Sequence, residues 1–399
     1  MSANPKAVRA ASPGWIDPFA PTEIRRLIAT FGSPLLVLDC ERVRTQYRQL
    51  AAALPGVDLH YALKPLPAPP VVAALRDLGS FFDLATAGEV DVVRALGIAP
   101  GRCIHTHPIK RERDIRDALE YGVSTFVADN PDEIRKFIKF RDRTALLLRV
   151  SFRSPDAKVD LSRKFGCEVE AVPQLLGLAR DLGVSVRGLS FHVGSQAADP
   201  AKYVEAIHVC REALAEAARA GLGPFDTLDI GGGFPVEYLK PVMPIDEFCA
   251  PIRAELAQLP RGMRVIAEPG RYIVASAGVA VATVMGRAYR DGRWWYYLDD
   301  GLYGNFSGQL YEHAHYRVES LRKGELRPSV LAGPTCDSID VINDALDLPE
   351  LEAGDIIVGH MMGAYTWASA TDFNFFPKPR IVAANLAPGD RGAVVEFNR

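Results

Sequence analysis

Short apolar runs alternate with helix-like segments between residues 57 and 275. Eight runs are rich in apolar and β-branched residues, which favour strands. They cover residues 57–64, 81–87, 103–108, 125–129, 145–151, 188–195, 227–232 and 264–268. Several segments between them end at a glycine such as Gly79 or Gly122, and Asn130-Pro131-Asp132 is a typical helix start. The pattern therefore predicts a regular alternation of strands and helices.

Eight such alternations predict a (β/α)8 barrel. A doubly wound open sheet shows the same alternation, but no GxGxxG fingerprint opens the first unit. From residue 276 the pattern becomes β-rich, with runs at 279–289 and 294–298 flanking the hairpin signal Asp291-Gly292. We predict an α/β protein with a TIM-like barrel over residues 36–275. Residues 1–35 and 276–399 would form a second all-β domain, sandwich-like or barrel-like, that contributes to the substrate site and a dimer interface.

Composition excludes several classes of function. The 399 residues are 48% hydrophobic and 24% charged, which is ordinary for a soluble globular protein, and the formal charge of −3 favours neither nucleic-acid nor membrane binding. No apolar run reaches the roughly 20 residues of a membrane span, and the N-terminus lacks a signal-peptide core. The six cysteines are scattered without a CxxC pair, so we expect reduced thiols in the cytoplasm and no metal site.

A lysine stands at the end of the first barrel strand, in His60-Tyr61-Ala62-Leu63-Lys64. Barrel active sites lie at the C-terminal ends of strands. A poorly solvated amine there gives up its proton more readily and can attack a carbonyl. The alternative is a lysine that extends from the strand end into solvent.

Other polar residues follow the remaining strands. Three glycines after the seventh strand would let backbone N–H groups approach a phosphate, although a tight turn also needs glycine. Glu268 and Arg271 follow the eighth strand and could act on a ligand or form a local ion pair. The further candidates at strand ends are Asp83, Glu89, Arg149, His192 and Ser195. In the β-domain, Cys336-Asp337, Tyr303 and Tyr365 lie in loops, and Cys336-Asp337 alone would be an ordinary turn.

In their order along the chain, these motifs resemble the fold-type III pyridoxal-phosphate decarboxylases, the ornithine and diaminopimelate decarboxylase family. The resemblance runs from about Leu35 to Pro377. It implies that Lys64 binds the cofactor covalently, that His192 stacks on its ring and that Glu268 pairs with the ring nitrogen. It further implies that the phosphate of the cofactor is held by Ser195, Gly231, Gly232, Gly233, Arg271 and Tyr365. Asp83 and Arg149 would line the cofactor side.

The resemblance also implies a reaction. An anionic Glu268 favours decarboxylation over racemisation, because racemases of this fold place an arginine at the ring nitrogen. Pro-Thr-Cys336-Asp337 and Asp-Gly-Leu-Tyr303-Gly are typical of the ornithine-type branch. Its members are homodimers with shared active sites, in which Cys336 would donate a proton, Asp337 would bind the distal ammonium and Tyr303 would line the substrate site.

Two departures from the family pattern bear on the substrate. Lys64 is followed by Pro65-Leu66-Pro67, and Glu312 replaces the usual aspartate of the distal pocket. The extra methylene extends the carboxylate by about 1.3–1.5 Å, so a short diamino acid is expected. We predict decarboxylation of L-ornithine to putrescine. Lysine, 2,4-diaminobutyrate and meso-diaminopimelate remain open as substrates, as does a non-catalytic, antizyme-inhibitor-like homologue, although the latter would need neither Lys64 nor Cys336.

Overall fold

The computed structural model describes residues 16–152, 164–387 and 395–397. The chain divides into two compact units. The barrel unit comprises Arg44–Ala275 and Glu312–His315, and the β unit comprises the remaining described residues. None of the helices in the described ranges is both long and apolar enough to cross a membrane.

Strands and helices are numbered in chain order. The first strand, β1 (Leu35–Asp39), belongs to the β unit. The next eight strands close into a parallel barrel: β2 (Val57–Ala62), β3 (Phe81–Leu84), β4 (Cys103–His105), β5 (Thr125–Ala128), β6 (Ala145–Val150), β7 (Val186–Phe191), β8 (Thr227–Asp229) and β9 (Arg264–Ala267). Each coincides with one of the eight predicted runs, so the predicted barrel is confirmed.

The helices of the described residues include those that the glycine and capping signals predicted. They are α1 (Pro21–Phe31), α2 (Cys40–Ala53), α3 (Pro69–Asp77), α4 (Ala87–Ala95), α5 (Glu112–Tyr121), α6 (Pro131–Lys136), α7 (Val172–Asp181), α8 (Ala201–Arg219), α9 (Ile245–Leu256), α10 (Arg271–Val274) and α11 (Gly308–Tyr311). The Asn130 side chain accepts hydrogen bonds from the N–H groups of Asp132 and Glu133, each at 3.0 Å, and so caps α6. The predictions did not include α2 or α9. Pro251 lies inside α9 and removes the usual helix signal there.

The barrel strands are buried on both faces, as parallel strands covered by helices are. In β6, Leu146, Leu147 and Leu148 are fully buried. The near-continuous apolar runs seen in the sequence follow from this burial.

The β unit contains a nine-stranded sheet. Its strands besides β1 are β10 (Gly278–Arg290), β11 (Arg293–Leu298), β12 (Val318–Ser320), β13 (Leu326–Ala332), β14 (Val341–Pro349), β15 (Ile356–Gly359), β16 (Arg380–Ala384) and β17 (Val395–Phe397). Asp291 and Gly292, with φ of 50° and 74°, turn β10 into β11 as predicted. Residues 36–39, which the predicted boundaries assign to the barrel, pair within this sheet.

Candidate active site

The barrel mouth holds the predicted lysine beside a buried carboxylate. Lys64 follows the end of β2 by two residues. Its Nζ lies 3.6 Å from Oδ2 of Asp83, whose side chain is 2% exposed against 43% for Lys64. The hydroxyl of Thr106, a residue that the sequence analysis missed, donates to the other oxygen of Asp83. Asp83 therefore holds the lysine amine at the mouth by charge while the amine stays accessible.

Two carboxyl groups are buried together at the ends of β8 and β9. Burial raises the pKa of Glu268 well above its usual value, and the charges of Asp229 and Asp83 raise it further. Burial likewise raises the pKa of Asp229 to about 6. Neighbouring buried carboxyls do not both ionise easily, so this pair retains a proton. A cationic N–H group placed against Glu268 would offset that cost.

His192 follows β7 and is neutral. Burial lowers its pKa well below 6.5, and the positive charges of Arg149 and Lys64 act in the same direction. Its Nδ1 accepts a hydrogen bond of 3.0 Å from the N–H of Gly194, which places the proton on Nε2. Burial also lowers the pKa of Arg149, and the carboxyl groups near it, among them Glu268 and Asp229, oppose that shift. A neutral imidazole can lie against a cationic ring without repelling it.

The glycine run after β8 leaves no room for side chains. A Cβ at Gly231 would lie 2.2 Å from the carbonyl oxygen of Phe191, and one at Gly232 would lie 2.4 Å from that of Glu268. Gly233 has φ of 114°, and a Cβ there would lie 2.3 Å from the carbonyl oxygen of Gly194. These close approaches alone are enough to require glycine at the three positions. The same backbone also forms a cradle in which N–H groups can bind an anion.

Arg271 begins α10 at the barrel mouth and is 7% exposed. Its Nη1 donates to the hydroxyl of Tyr238 at 2.8 Å, and its Nη2 donates to Oγ of Ser195 at 3.1 Å. Nη2 also forms an ion pair with Oε2 of Glu312. Neither Tyr238 nor the contact between Arg271 and Glu312 was predicted, because no local pattern signals contacts over 33 and 41 residues.

The barrel residues fit pyridoxal phosphate as a set. The amine of Lys64 suits its aldehyde, and the buried Glu268 suits its ring nitrogen. The guanidinium of Arg271, the hydroxyl of Ser195 and the backbone cradle of the glycine run are the donors that a phosphate prefers. The structure therefore brings together most of the residues that the resemblance assigned to the cofactor.

The remaining candidates lie in the β unit. The hydroxyl of Tyr303 donates to Oδ2 of Asp337 at 2.5 Å, and the ring of Tyr303 stacks on Phe373 with 4.4 Å between centroids. Cys336 is exposed, and its N–H donates to Oδ1 of Asn374 at 3.2 Å. Tyr365 has φ of 55°, in the left-handed region. The substrate and phosphate contacts predicted for these side chains stay predictions.

Asp340 is a buried residue of the β unit that the sequence analysis missed. Its Oδ1 accepts from the N–H of Leu302 at 2.7 Å, and its Oδ2 accepts from the N–H and the hydroxyl of Thr335 at 3.1 and 2.7 Å. A Cβ at Gly333 would lie 2.2 Å from this carboxylate. Asp340 thereby joins the loop that carries Tyr303 to the loop that carries Cys336 and Asp337. A single aspartate among many gave no signal of this role.

Comparison with known proteins identifies the family of this chain. The family profile described as "Pyridoxal-dependent decarboxylase, pyridoxal binding domain" matches residues 40–275. The lysine/ornithine decarboxylase of Selenomonas ruminantium is 38% identical over 90% of this chain and 92% of its own length. Ornithine decarboxylase of Schizosaccharomyces pombe is 36% identical over 87% of this chain and 82% of its own.

Solved structures of similar fold belong to the same family. The crystal structure of lysine/ornithine decarboxylase from Vibrio vulnificus, complexed with putrescine, has a TM-score of 0.88 and 52% identity and covers 92% of this chain and 98% of its own. That of the Selenomonas ruminantium enzyme in complex with pyridoxal phosphate and cadaverine has a TM-score of 0.86 and 36% identity, with coverage of 91% and 93%. The chain belongs to the fold-type III pyridoxal-phosphate-dependent decarboxylases, in the ornithine-type branch, and is a carboxy-lyase that acts on basic amino acids.

Proposed function

We propose that this decarboxylase converts L-ornithine to putrescine and CO2, and that it converts L-lysine to cadaverine as a second reaction. One observation carries the proposal. The Vibrio vulnificus enzyme is named a lysine/ornithine decarboxylase, and its crystal structures were solved with putrescine and with cadaverine. The sequence identity to this chain is 52% for the first structure and 53% for the second. The predicted preference for ornithine rests on the longer side chain of Glu312.

The proposed roles at the barrel mouth follow from charge and burial. Bound pyridoxal phosphate supplies a sink for the electron pair left when CO2 departs. The amine of Lys64 would bind the cofactor carbonyl, and Asp83, 3.6 Å from that amine, would keep it in place. Glu268 would pair with the ring nitrogen, and its carboxylate would keep that atom protonated. Neutral His192 would lie against the ring face, where a protonated imidazole would repel a cationic ring.

The proposed phosphate site consists of Ser195, Arg271, Tyr365 and the backbone of Gly231–Gly233. The two donors that Arg271 and Ser195 provide are already within hydrogen-bonding distance of each other, at 3.1 Å. Preorganised donors bind an anion without the cost of first being ordered. Arg149 completes the lining of the cofactor side.

The proposed substrate groups lie in the β unit. The thiol of Cys336 donates a proton to the carbon that loses CO2, and the carboxylate of Asp337, oriented by Tyr303, binds the terminal ammonium of the substrate. We propose a homodimer in which these loops complete the site of the other subunit. Exposure of Cys336 supports this arrangement. The scattered cysteines support a cytoplasmic location.

Product identification tests the function directly. Purified enzyme with added pyridoxal phosphate is given L-ornithine, L-lysine, 2,4-diaminobutyrate and meso-diaminopimelate, and the amines are identified by mass spectrometry. Putrescine should be the main product, with cadaverine second. Cadaverine in excess would reverse the proposed preference. Cofactor uptake without any amine product would favour the non-catalytic homologue.

Glu312→Asp tests what sets substrate length. The shorter carboxylate should shift kcat/KM several-fold toward lysine, since an ammonium left unpaired in a buried site is costly. The ranking of ornithine, lysine and 2,4-diaminobutyrate is measured on both enzymes. An unchanged ranking would show that Glu312 does not measure substrate length.

A further inference from the structure

The ion pair between Arg271 and Glu312 carries an inference that rests on the proposed phosphate role of Arg271. Arg271 is 7% exposed and Glu312 is 18% exposed at the side chain, so solvent screens this pair little. The same nitrogen, Nη2, contacts both Oε2 of Glu312 and Oγ of Ser195. The guanidinium that would hold a phosphate therefore already has a carboxylate as its partner.

A phosphate bound to Arg271 and Ser195 would lie beside the carboxylate of Glu312. Two like charges in a partly buried site repel each other, and the repulsion grows as water is excluded. Nη1 of Arg271 is directed to the hydroxyl of Tyr238 at 2.8 Å, and this contact fixes the orientation of the guanidinium. The phosphate and the carboxylate of Glu312 would therefore compete for Nη2 of Arg271.

We propose that Glu312 is the counter-ion of Arg271 in the cofactor-free enzyme and that the phosphate of the cofactor displaces it. Two consequences follow. Glu312 weakens cofactor binding, since its ion pair must be given up. The released carboxylate becomes available to the terminal ammonium of the substrate, so a complete substrate site forms only after the cofactor has bound.

Cofactor-free enzyme provides the test. Pyridoxal phosphate is titrated by absorbance and tryptophan fluorescence, and inorganic phosphate and phosphate-free pyridoxal are titrated separately. Glu312→Gln should tighten binding of pyridoxal phosphate and inorganic phosphate about tenfold and leave pyridoxal unchanged. Glu312→Asp keeps the charge and should bind pyridoxal phosphate within about threefold of wild type.

Glu255→Gln is the matched control. Glu255 lies in the same unit, is 17% exposed at the side chain and pairs with Arg211, with 3.1 Å between Oε1 and Nη1. Its replacement removes the same charge at a similar depth but away from Arg271. It should leave all three affinities unchanged. If Glu255→Gln and Glu312→Gln tighten the binding of pyridoxal phosphate equally, the cause is the change in net charge of the protein, and the proposal is overturned.

Arg271→Lys and Arg271→Met test whether Arg271 holds the phosphate, which is a separate question from whether the phosphate displaces Glu312. Both should weaken pyridoxal phosphate more than pyridoxal, with circular dichroism confirming that each variant is folded. If neither does, Arg271 is not the phosphate anchor and the proposed site itself fails. If both do, while Glu312→Gln leaves pyridoxal phosphate affinity unchanged or weaker, Glu312 orients Arg271 rather than competing for it, and only the displacement is overturned.

Discussion

The barrel unit and the β unit carry their candidate residues in different ways. In the barrel unit most of these residues follow strand ends, and several are buried, with Asp83 at 3%, Arg271 at 7% and His192 at 9% exposure, whereas the side chain of Lys64 is 43% exposed. In the β unit they lie on loops, where Cys336 is exposed and the nearby Ile339 is 50% exposed. Within the barrel site opposite charges pair, as Lys64 does with Asp83 and Arg271 with Glu312, and His192 is neutral. The β-unit loops instead leave polar and apolar groups at the surface.

This difference separates two tasks. Groups that act on a cofactor gain from rigid strand ends, because burial strengthens their charges and fixes their positions. The groups proposed to meet the substrate lie on loops, and loops differ more readily between relatives. Asp340 joins two of these loops by accepting hydrogen bonds from Leu302 and Thr335.

Lys64→Ala tests the barrel side and should have the largest effect. Without the amine that binds the cofactor, activity should fall roughly a thousandfold or more. Borohydride reduction of the holoenzyme, followed by peptide mapping, should place the cofactor on Lys64. Lys164→Ala is the control and should retain activity. A label on Lys164 or Lys240, or on Lys158 outside the described residues, would refute the assignment.

Subunit mixing tests whether the two sides come from different chains. Inactive Lys64→Ala and Cys336→Ala chains, unfolded and refolded together, should recover about a quarter of wild-type activity, because random pairing leaves one intact site in half of the dimers. Tagged chains show that mixed dimers have formed. Mixed dimers without recovered activity would mean that each site is built within one chain.

Asp340→Asn tests the loop support in the β unit. Its carboxylate accepts three hydrogen bonds from Leu302 and Thr335. An amide there loses part of this pairing, so kcat/KM should fall roughly 10- to 100-fold, mainly through KM for the diamino acid, with cofactor affinity unchanged. The exposed Asp344→Asn is the control. Equal loss of cofactor affinity would indicate general destabilisation instead.

Glu89→Gln tests the electrostatics of the barrel mouth and should have the smallest effect on activity. Burial raises the pKa of Glu89 from 4.5 to about 7. The stability this group contributes is therefore present below pH 4.5 and is lost as pH rises to about 7, with a slope of up to about 1.4 kcal/mol per pH unit.

The measurement is urea unfolding of cofactor-free enzyme between pH 4.5 and 8. Glu89→Gln should gain stability relative to wild type across that window and then level off. Asp91→Asn, on the same helix and 71% exposed at the side chain, should show no such trend. A constant difference between Glu89→Gln and wild type would show that Glu89 ionises normally.

Elements with a clear local pattern were predictable, and those without one were not. The eight barrel strands read as apolar runs because both of their faces are buried. Strand β14 was missed because several of its central residues, Asp344 and Ala345 among them, are exposed, so neither an apolar run nor an alternation marks it. Helix α9 was missed because a proline such as Pro251 in the sequence is typical of a helix break, although the helix continues through it.

Local periodicity and residue type, which act over a few positions, were enough to predict the barrel and to place Lys64, His192 and Glu268 at the ends of its strands. Only the tertiary structure decided which side chains meet. Arg271 pairs with Glu312 across 41 residues, and Asp340 reaches Leu302 across 38. Such contacts depend on how loops return after folding, and a buried charge selects its partner by distance and geometry rather than by position in the chain.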